Sequence, residues 1–185
     1  MDLRPRLVGR IVTLEPLERR HVPGLREAAA DERIWRWMTT TDVDVWIAAA
    51  LAATGTYHFA VIGGGAVVGS TSYLNVVPEH RRLEIGNTWN RPSTWGTGAN
   101  TEAKYLLLRH AFEELGMLRV EFKTDAENDR ARAALAAIPA EFEGVHRKHM
   151  VVRDGERRDS AWYAVIDDDW PAVKDALERR IAAKL

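Results

Sequence analysis

The chain has 185 residues, of which 46% are hydrophobic and 29% charged. Its 26 basic and 27 acidic side chains leave a net charge of −1. That is the composition of an ordinary globular chain, long enough for one domain (1–185) with a full core, and it gives no general electrostatic case for nucleic acid or an acidic membrane as partner. The absence of cysteine excludes disulfides, thiolate metal sites and a cysteine nucleophile.

The predicted elements begin with Arg10–Leu17, "RIVTLEPL", whose alternation reads as a strand. The stretch "ERRHVPGLREAAADERIWRWM" is helical in period, with Pro23 and Gly24 near its start. Asp42–Thr54 is a second helix, with Asp42 or Asp44 to cap it and Gly55 to end it. The period then falls to two. "YHFAVI" and "AVVGSTSYLNV" flank a Gly-rich turn and read as a hairpin. Arg81–Trp89 is the next strand, and Gly86 within it suggests a bulge or a close backbone approach.

Ala103, Leu106, Leu107, Ala111 and Leu115 mark a helix stopped by Gly116. A strand over Leu118–Asp125 follows, then a short helix opened by Asn128 or Asp129 and closed before Pro139. A second hairpin turns at Asp154-Gly155. A final helix has Asp167–Asp169 at its positive end and Pro171 in its first turn. The order is that of an α+β layer fold without repeats or linkers.

No run approaches the roughly 18 to 20 apolar residues needed to span a bilayer, and the N-terminus lacks the apolar core of a signal peptide. The expectation is a cytoplasmic protein with no membrane or nucleic-acid partner. His146 and His149 have i,i+3 spacing, but they precede a strand-like run and read as solvated side chains. No metal is expected.

The segment with most chemical content is "WGTGANT", Trp95–Thr101, directly before the long helix. It lacks the lysine of a nucleoside-triphosphate loop, and Thr101 stands where a dinucleotide loop needs its third glycine. Two readings remain. The glycines relieve a tight turn before the helix, or they let successive backbone N–H groups approach an anion at its positive end.

The neighbouring stretches carry more. "LVGRIVTLEPLERRH", "LEIGNTW", "WGTGANTEAKYLLLRHAFEELG", "RVEFKTDAENDR", "EFEGVHRKHMVVRDGERRDSAWYAVI" and "DDDWPAVKDALE" occur in this order over nearly the whole chain. In that arrangement the chain resembles the GCN5-related N-acetyltransferase (GNAT) superfamily, and within it the RimJ/RimL-type branch. The resemblance implies a central, mixed, mostly antiparallel sheet of about seven strands with helices on both faces. It also implies a V-shaped splay between the fourth and fifth strands. It implies acetyl-coenzyme A as co-substrate, its pyrophosphate on Trp95, Gly96, Thr97, Gly98, Ala99, Asn100 and Thr101. The pantetheine arm would run beside Thr88 and Trp89, with Asn128 touching it or holding the loop around it. The acceptor would be a primary amine, of a protein N-terminus or a small molecule, acylated directly in a ternary complex.

Such a transfer needs a base for the amine, an oxyanion donor and a proton for the leaving thiolate. The resemblance puts Glu84 at the place of the branch's proposed base. A backbone N–H turned by a bulge at Gly86 would serve the oxyanion. The serine expected three residues after Asn128 is Ala131, so the acid is either water or Tyr163 reaching in from the late hairpin. The missing serine also motivates a reading as a non-catalytic acyl-coenzyme A-binding sensor or partner module. Where this branch ends the helix with glycine, Pro139 stands, so its exit must be rebuilt. Trp35, Trp37 and Trp46 are read as packing a core or a homodimer contact before a pocket wall. Asp31, Glu32 and Asp42 are candidates to attract an ammonium group.

Overall fold

The first predicted strand begins earlier than its alternation indicated and breaks at Gly9. β1 (Leu7–Val8) and β2 (Val12–Pro16) pair across that break, which makes a sheet of eight strands where about seven were expected. The computed structural model describes residues 1–185, apart from the side chain of Asp154. The remaining strands are β3 (Tyr57–Gly63), β4 (Ala66–Val77), β5 (Arg82–Asn90), β6 (Arg119–Asp125), β7 (Glu141–Val152) and β8 (Glu156–Ile166). The sheet order is β1-β2-β3-β4-β5-β6-β8-β7, antiparallel except for β5 and β6. The helices are α1 (Val22–Ala28), α2 (Val43–Ala52), α3 (Ala99–Arg109), α4 (Asp129–Ala136) and α5 (Trp170–Ala182).

The first helical stretch is not continuous. α1 ends at Ala28, and a 3-10 helix spans Glu32–Trp37. Asp31 starts that second piece, because its carboxylate accepts the backbone N–H of Arg33. Asp42 does the same for α2, accepting from Asp44 and Val45 N–H. Both acids are therefore helix caps in this fold.

Two apolar clusters cover the sheet. α1, α2 and the 3-10 piece pack on one side, where Trp35 and Trp46 lie 5.8 and 5.3 Å from the Trp89 ring. α3, α4 and α5 pack on the other, with Leu106, Leu107, Leu135 and Leu177 against Tyr73 and Phe122. Thr88 and Trp89 are adjacent in β5 and so serve opposite sides.

α3 is tied to the N-terminal hairpin by one carboxylate. Glu102 is buried in the first turn of α3, and its oxygens accept the N–H groups of Arg10, Ile11 and Val12 at 2.8, 2.6 and 2.7 Å. Gly9 leaves the room, since a Cβ there would lie 2.3 Å from Glu102 Oε2. A carboxylate with several backbone donors forms strong, charge-assisted bonds.

The exit of α4 keeps the left-handed turn expected only of glycine. Pro139 has a φ of 29°, and Ala140 N–H reaches back to the Leu135 carbonyl in the six-to-one bond of a Schellman closure. The proline ring prefers a φ near −65°. The exit is closed by the Ala140–Leu135 bond.

The feature that positions the site is the short contact between β5 and β6. Only Arg82, Leu83 and Glu84 pair, with Arg119, Val120 and Glu121. Beyond them β5 pairs with β4 as far as Asn90, and β6 with β8 as far as Asp125, so the two strands part. This is the splay expected between the fourth and fifth strands of the sequence reading. Glu102→Ala should leave three backbone N–H groups without their acceptor, that of Val12 buried, and lower stability by about 3 kcal/mol, measured by urea denaturation. Glu102→Gln, which keeps one acceptor oxygen, should lose less.

Candidate active site

The parted strands open into a cavity of about 390 Å³. Its walls come from both sides of the sheet. Gly96, Asn100 and Lys104 of the loop and α3 line it, with Asn128 and Ala131 of α4. Trp37 and Met38 line it from the α1–α2 side, and Met150 and Arg158 from the β7–β8 hairpin. The two groups of walls give the cavity one end beside α3 and α4 and another beside the first helical region and the hairpin.

At the α3 end the loop is shaped by its own hydrogen bonds. Trp95 N–H donates to the Pro92 carbonyl at 3.0 Å, and Thr97 N–H to Thr94 at 3.3 Å. Those two groups are therefore engaged. Gly96 N–H and Gly98 N–H, and those of Asn100 and Thr101 in the first turn of α3, donate to no other backbone group. Gly96 and Gly98 have φ of 77° and 97°, the left-handed conformation in which glycine is unstrained. At Gly98 a Cβ would also meet Ile11 and Lys184 at 2.9 and 3.0 Å. Asn100 Oδ1 is shut off from solvent without a partner. The Trp95 ring lies under the Arg130 guanidinium at 3.6 Å, with Arg33 at 5.4 Å.

Along the gap, the bulge expected at Gly86 falls one residue later. Ser72 pairs with Gly86 and Ser70 with Trp89, so Asn87 and Thr88 together face Thr71, with Asn87 at a φ of 48°. The edge of β5 from Gly86 to Asn90 has no strand beside it on the β6 side. Asn128 caps α4 through its Oδ1, which accepts Ala131 N–H at 3.1 Å.

Glu84 is buried on the cavity wall. Its Oε2 accepts from Lys123 Nζ at 2.8 Å and from Asn75 Nδ2 at 2.7 Å. Its Oε1 lies over Gly86, where a Cβ would sit 3.1 Å away. Tyr163 is not brought to the cavity. It is buried beside Phe122 in the register of β6 and β8, and its hydroxyl accepts from Arg132 Nε at 3.2 Å.

Thus Glu84, Thr88, Trp89, Trp95, Gly96, Asn100 and Asn128 line one cavity. Thr97, Gly98, Ala99 and Thr101 shape its loop. Trp35 and Trp46 are core, whereas Trp37 is wall.

Sequence reading missed Lys104, Lys123, Asn75 and Arg158. Lys104 did leave a signal: it stands three residues before Leu107 and seven before Ala111, on the apolar stripe of α3. Its buried ammonium donates to Thr88 and to Thr71 at 3.3 Å, and burial pulls its pKa down to about 7 against the raising effect of Glu84.

Comparison with known proteins places these features. Among similar solved structures, a GCN5-related N-acetyltransferase from Brucella melitensis is 33% identical. It superposes with a TM-score of 0.90, over 96% of this chain and 86% of that one. The Mycobacterium smegmatis RimJ in complex with CoA-disulfide is 26% identical, with a TM-score of 0.78 over 98% and 94% of the two chains. A relative in Bacillus subtilis (strain 168), provisionally named the ribosomal N-acetyltransferase YdaF, is 31% identical over 110 residues. That match spans 60% of this chain and 59% of the relative. The model of the "Acetyltransferase (GNAT) domain" matches residues 12–139. The chain belongs to the acetyltransferase (GNAT) domain family.

Proposed function

We propose that this protein is an acetyl-coenzyme A-dependent N-acyltransferase that acylates a primary amine directly in a ternary complex. The observation that carries the reading is the single cavity through the parted strands, with unengaged loop N–H groups at one end and the buried Glu84 carboxylate on its wall. Use of acetyl-coenzyme A is a property of the family, and a coenzyme A derivative is named in the RimJ complex.

In this reading the co-substrate supplies the activated acyl group, and the chain's residues bind, orient and move protons. Gly96, Gly98, Asn100 and Thr101 N–H groups hold the pyrophosphate, assisted by the α3 dipole. Trp95, Thr97 and Ala99 keep the loop in shape. The free edge of β5 at Thr88 and Trp89 pairs with the pantetheine amides, as a neighbouring strand would. Asn100 Oδ1 accepts from the same arm, and Asn128 positions the turn around it.

Glu84 Oε1 takes the amine proton, directly or through water, while Lys123 and Asn75 fix Oε2. A base must be within hydrogen-bond reach of the proton, and Gly86 leaves Oε1 uncovered. For the departing thiolate, the cavity offers the Lys104 ammonium in place of the Tyr163 hydroxyl. Lys104 lines the cavity and, with a pKa of about 7, can give up a proton near neutral pH, while Tyr163 is engaged by Arg132.

A second reading is a binder of acyl-coenzyme A without turnover. Ala131 in the serine place and the Lys123 clamp on Glu84 favour it. Calorimetric titration with acetyl-coenzyme A, followed by thiol release with a panel of amines, separates the two readings. Binding without release supports the binder, and no binding sinks both.

Glu84→Gln should lower kcat by about 100-fold with acetyl-coenzyme A affinity retained. Full activity in that variant across pH 6 to 9 would remove the base assignment. Lys104→Met should cut kcat by roughly tenfold or more and yet stabilise the fold by about 1 to 3 kcal/mol at pH 7. Thr71 and Thr88 hydroxyls, 2.9 Å apart, remain paired in that variant. Because the folded pKa of about 7 lies below the ordinary lysine value of 10.5, the unfolded chain holds a proton that the folded one has lost between those values. Wild-type stability should therefore rise with pH from about 7 towards 10, and Lys104→Met should flatten that part of the rise in denaturation midpoints.

A further inference from the structure

The hairpin end of the cavity carries a cation that has no counter-ion in contact. Arg158 of β8 lines the cavity opposite Met150 of β7. Its Nε is shut off from solvent without a hydrogen-bond partner, and among the described residues its guanidinium makes no ion pair. Burial depresses its pKa, helped by Arg153, while Asp125 and Glu84 act in the opposite sense from a distance. Trp162, four residues on and on the same face of β8, also has a buried Nε1 without a partner. Beside it stands Lys123, in register with Trp162 and 5.2 Å from its ring. The Lys123 charge is already taken by Glu84. The wall therefore holds two cations and one paired carboxylate, with Arg158 left over.

A partly buried guanidinium without an anion is unfavourable unless a ligand supplies one. The phosphates of the donor do not reach this wall in the proposed pose, because they lie on the loop at the α3 end. The anion must then arrive with the acceptor. Resting on the transferase reading above, we propose that the acceptor is a primary amine that also carries a carboxylate or phosphate, which pairs with Arg158 while the amine meets Glu84. Arginine offers a planar fork that matches either group. The four residue steps from Arg158 to Trp162, whose ring stands beside the Lys123 that pairs with Glu84, span roughly 13 Å of strand, so the anion and the amine lie several bonds apart.

The same chemistry occurs in a free amino acid, in a phosphorylated amino alcohol and in a peptide with an acidic residue near its N-terminus. Thiol release by the full-length protein with acetyl-coenzyme A is measured for matched pairs: 4-aminobutanoate against 4-aminobutanol, phosphoethanolamine against ethanolamine, and Ala-Asp against Ala-Asn peptides. Calorimetry with acetyl-coenzyme A alone is run first. The expected result is a kcat/KM at least about tenfold higher for the anionic member of one or more pairs, and the responding pair identifies the source. In Arg158→Gln that ratio should fall about tenfold or more, mainly through KM, and Arg158→Lys should retain part of it. A ratio near one in the wild type, or one unchanged in both variants, overturns the proposal. So does acetyl-coenzyme A binding without transfer to any member of the panel. Absence of acetyl-coenzyme A binding instead fells the transferase reading on which the proposal rests. Arg158→Lys keeps the charge and the fold, and carries the test should Arg158→Gln fail to fold.

Discussion

Three residue pairs hold β5 to β6, and the site depends on there being no more. Had the ladder continued past Glu84 and Glu121, the backbone groups from Gly86 to Asn90 would be consumed by a neighbouring strand. The sheet would then be a closed wall. The bulge at Asn87 and Thr88 bends β5 away at the point where pairing ends. Lys104 fills the space beneath that bulge from α3, and Phe122 lies below it on β6. The unsatisfied edge is tolerable because it faces a cavity that water or a ligand can enter.

Charge is distributed unevenly along this gap. Next to the parting point Glu84 and Lys123 neutralise each other within the wall. Towards α3 Lys104 is surrounded by hydroxyls and apolar side chains, with no carboxylate in contact, so its amine leans towards the neutral form. Towards the hairpin Arg158 keeps its charge, since arginine does not lose its proton in this range. Three cations a short distance apart thus behave differently because their surroundings differ. The unpartnered buried atoms of Trp89, Asn90, Asn100 and Arg158 all belong to residues of the cavity wall, where unpaired polar atoms are expected to gather.

Much of this was legible in the sequence, and the reasons differ by element. The period-two hairpins and the α3 stripe report backbone conformation directly, and the positive φ of Gly96 and Gly98 agrees with their spacing. The break of the first helical stretch was less visible, since Asp31 acts as a cap only once Ala28 has ended α1. The Glu84–Lys123 pair joins strands 39 positions apart, and no local pattern marks it. Arg158 looks like any hairpin arginine in "RDGERRDS" until the register sets it opposite Met150. Tyr163 shows the converse. Its residue type suited an acid, but the alternation of β8 turns it towards α4 and Arg132.

The clamp at Glu102 has a dynamic consequence. It lies in the first turn of α3, directly after the loop, and holds three amides more than 90 positions earlier or nearly so. Fluctuations of the loop and of the β1–β2 turn are therefore one motion, shared through a carboxylate with little freedom of its own. Whatever quiets the start of α3 will slow amide hydrogen exchange at Arg10, Ile11 and Val12, which touch none of the cavity. The N-terminal hairpin is in this sense a remote reporter of the loop's state.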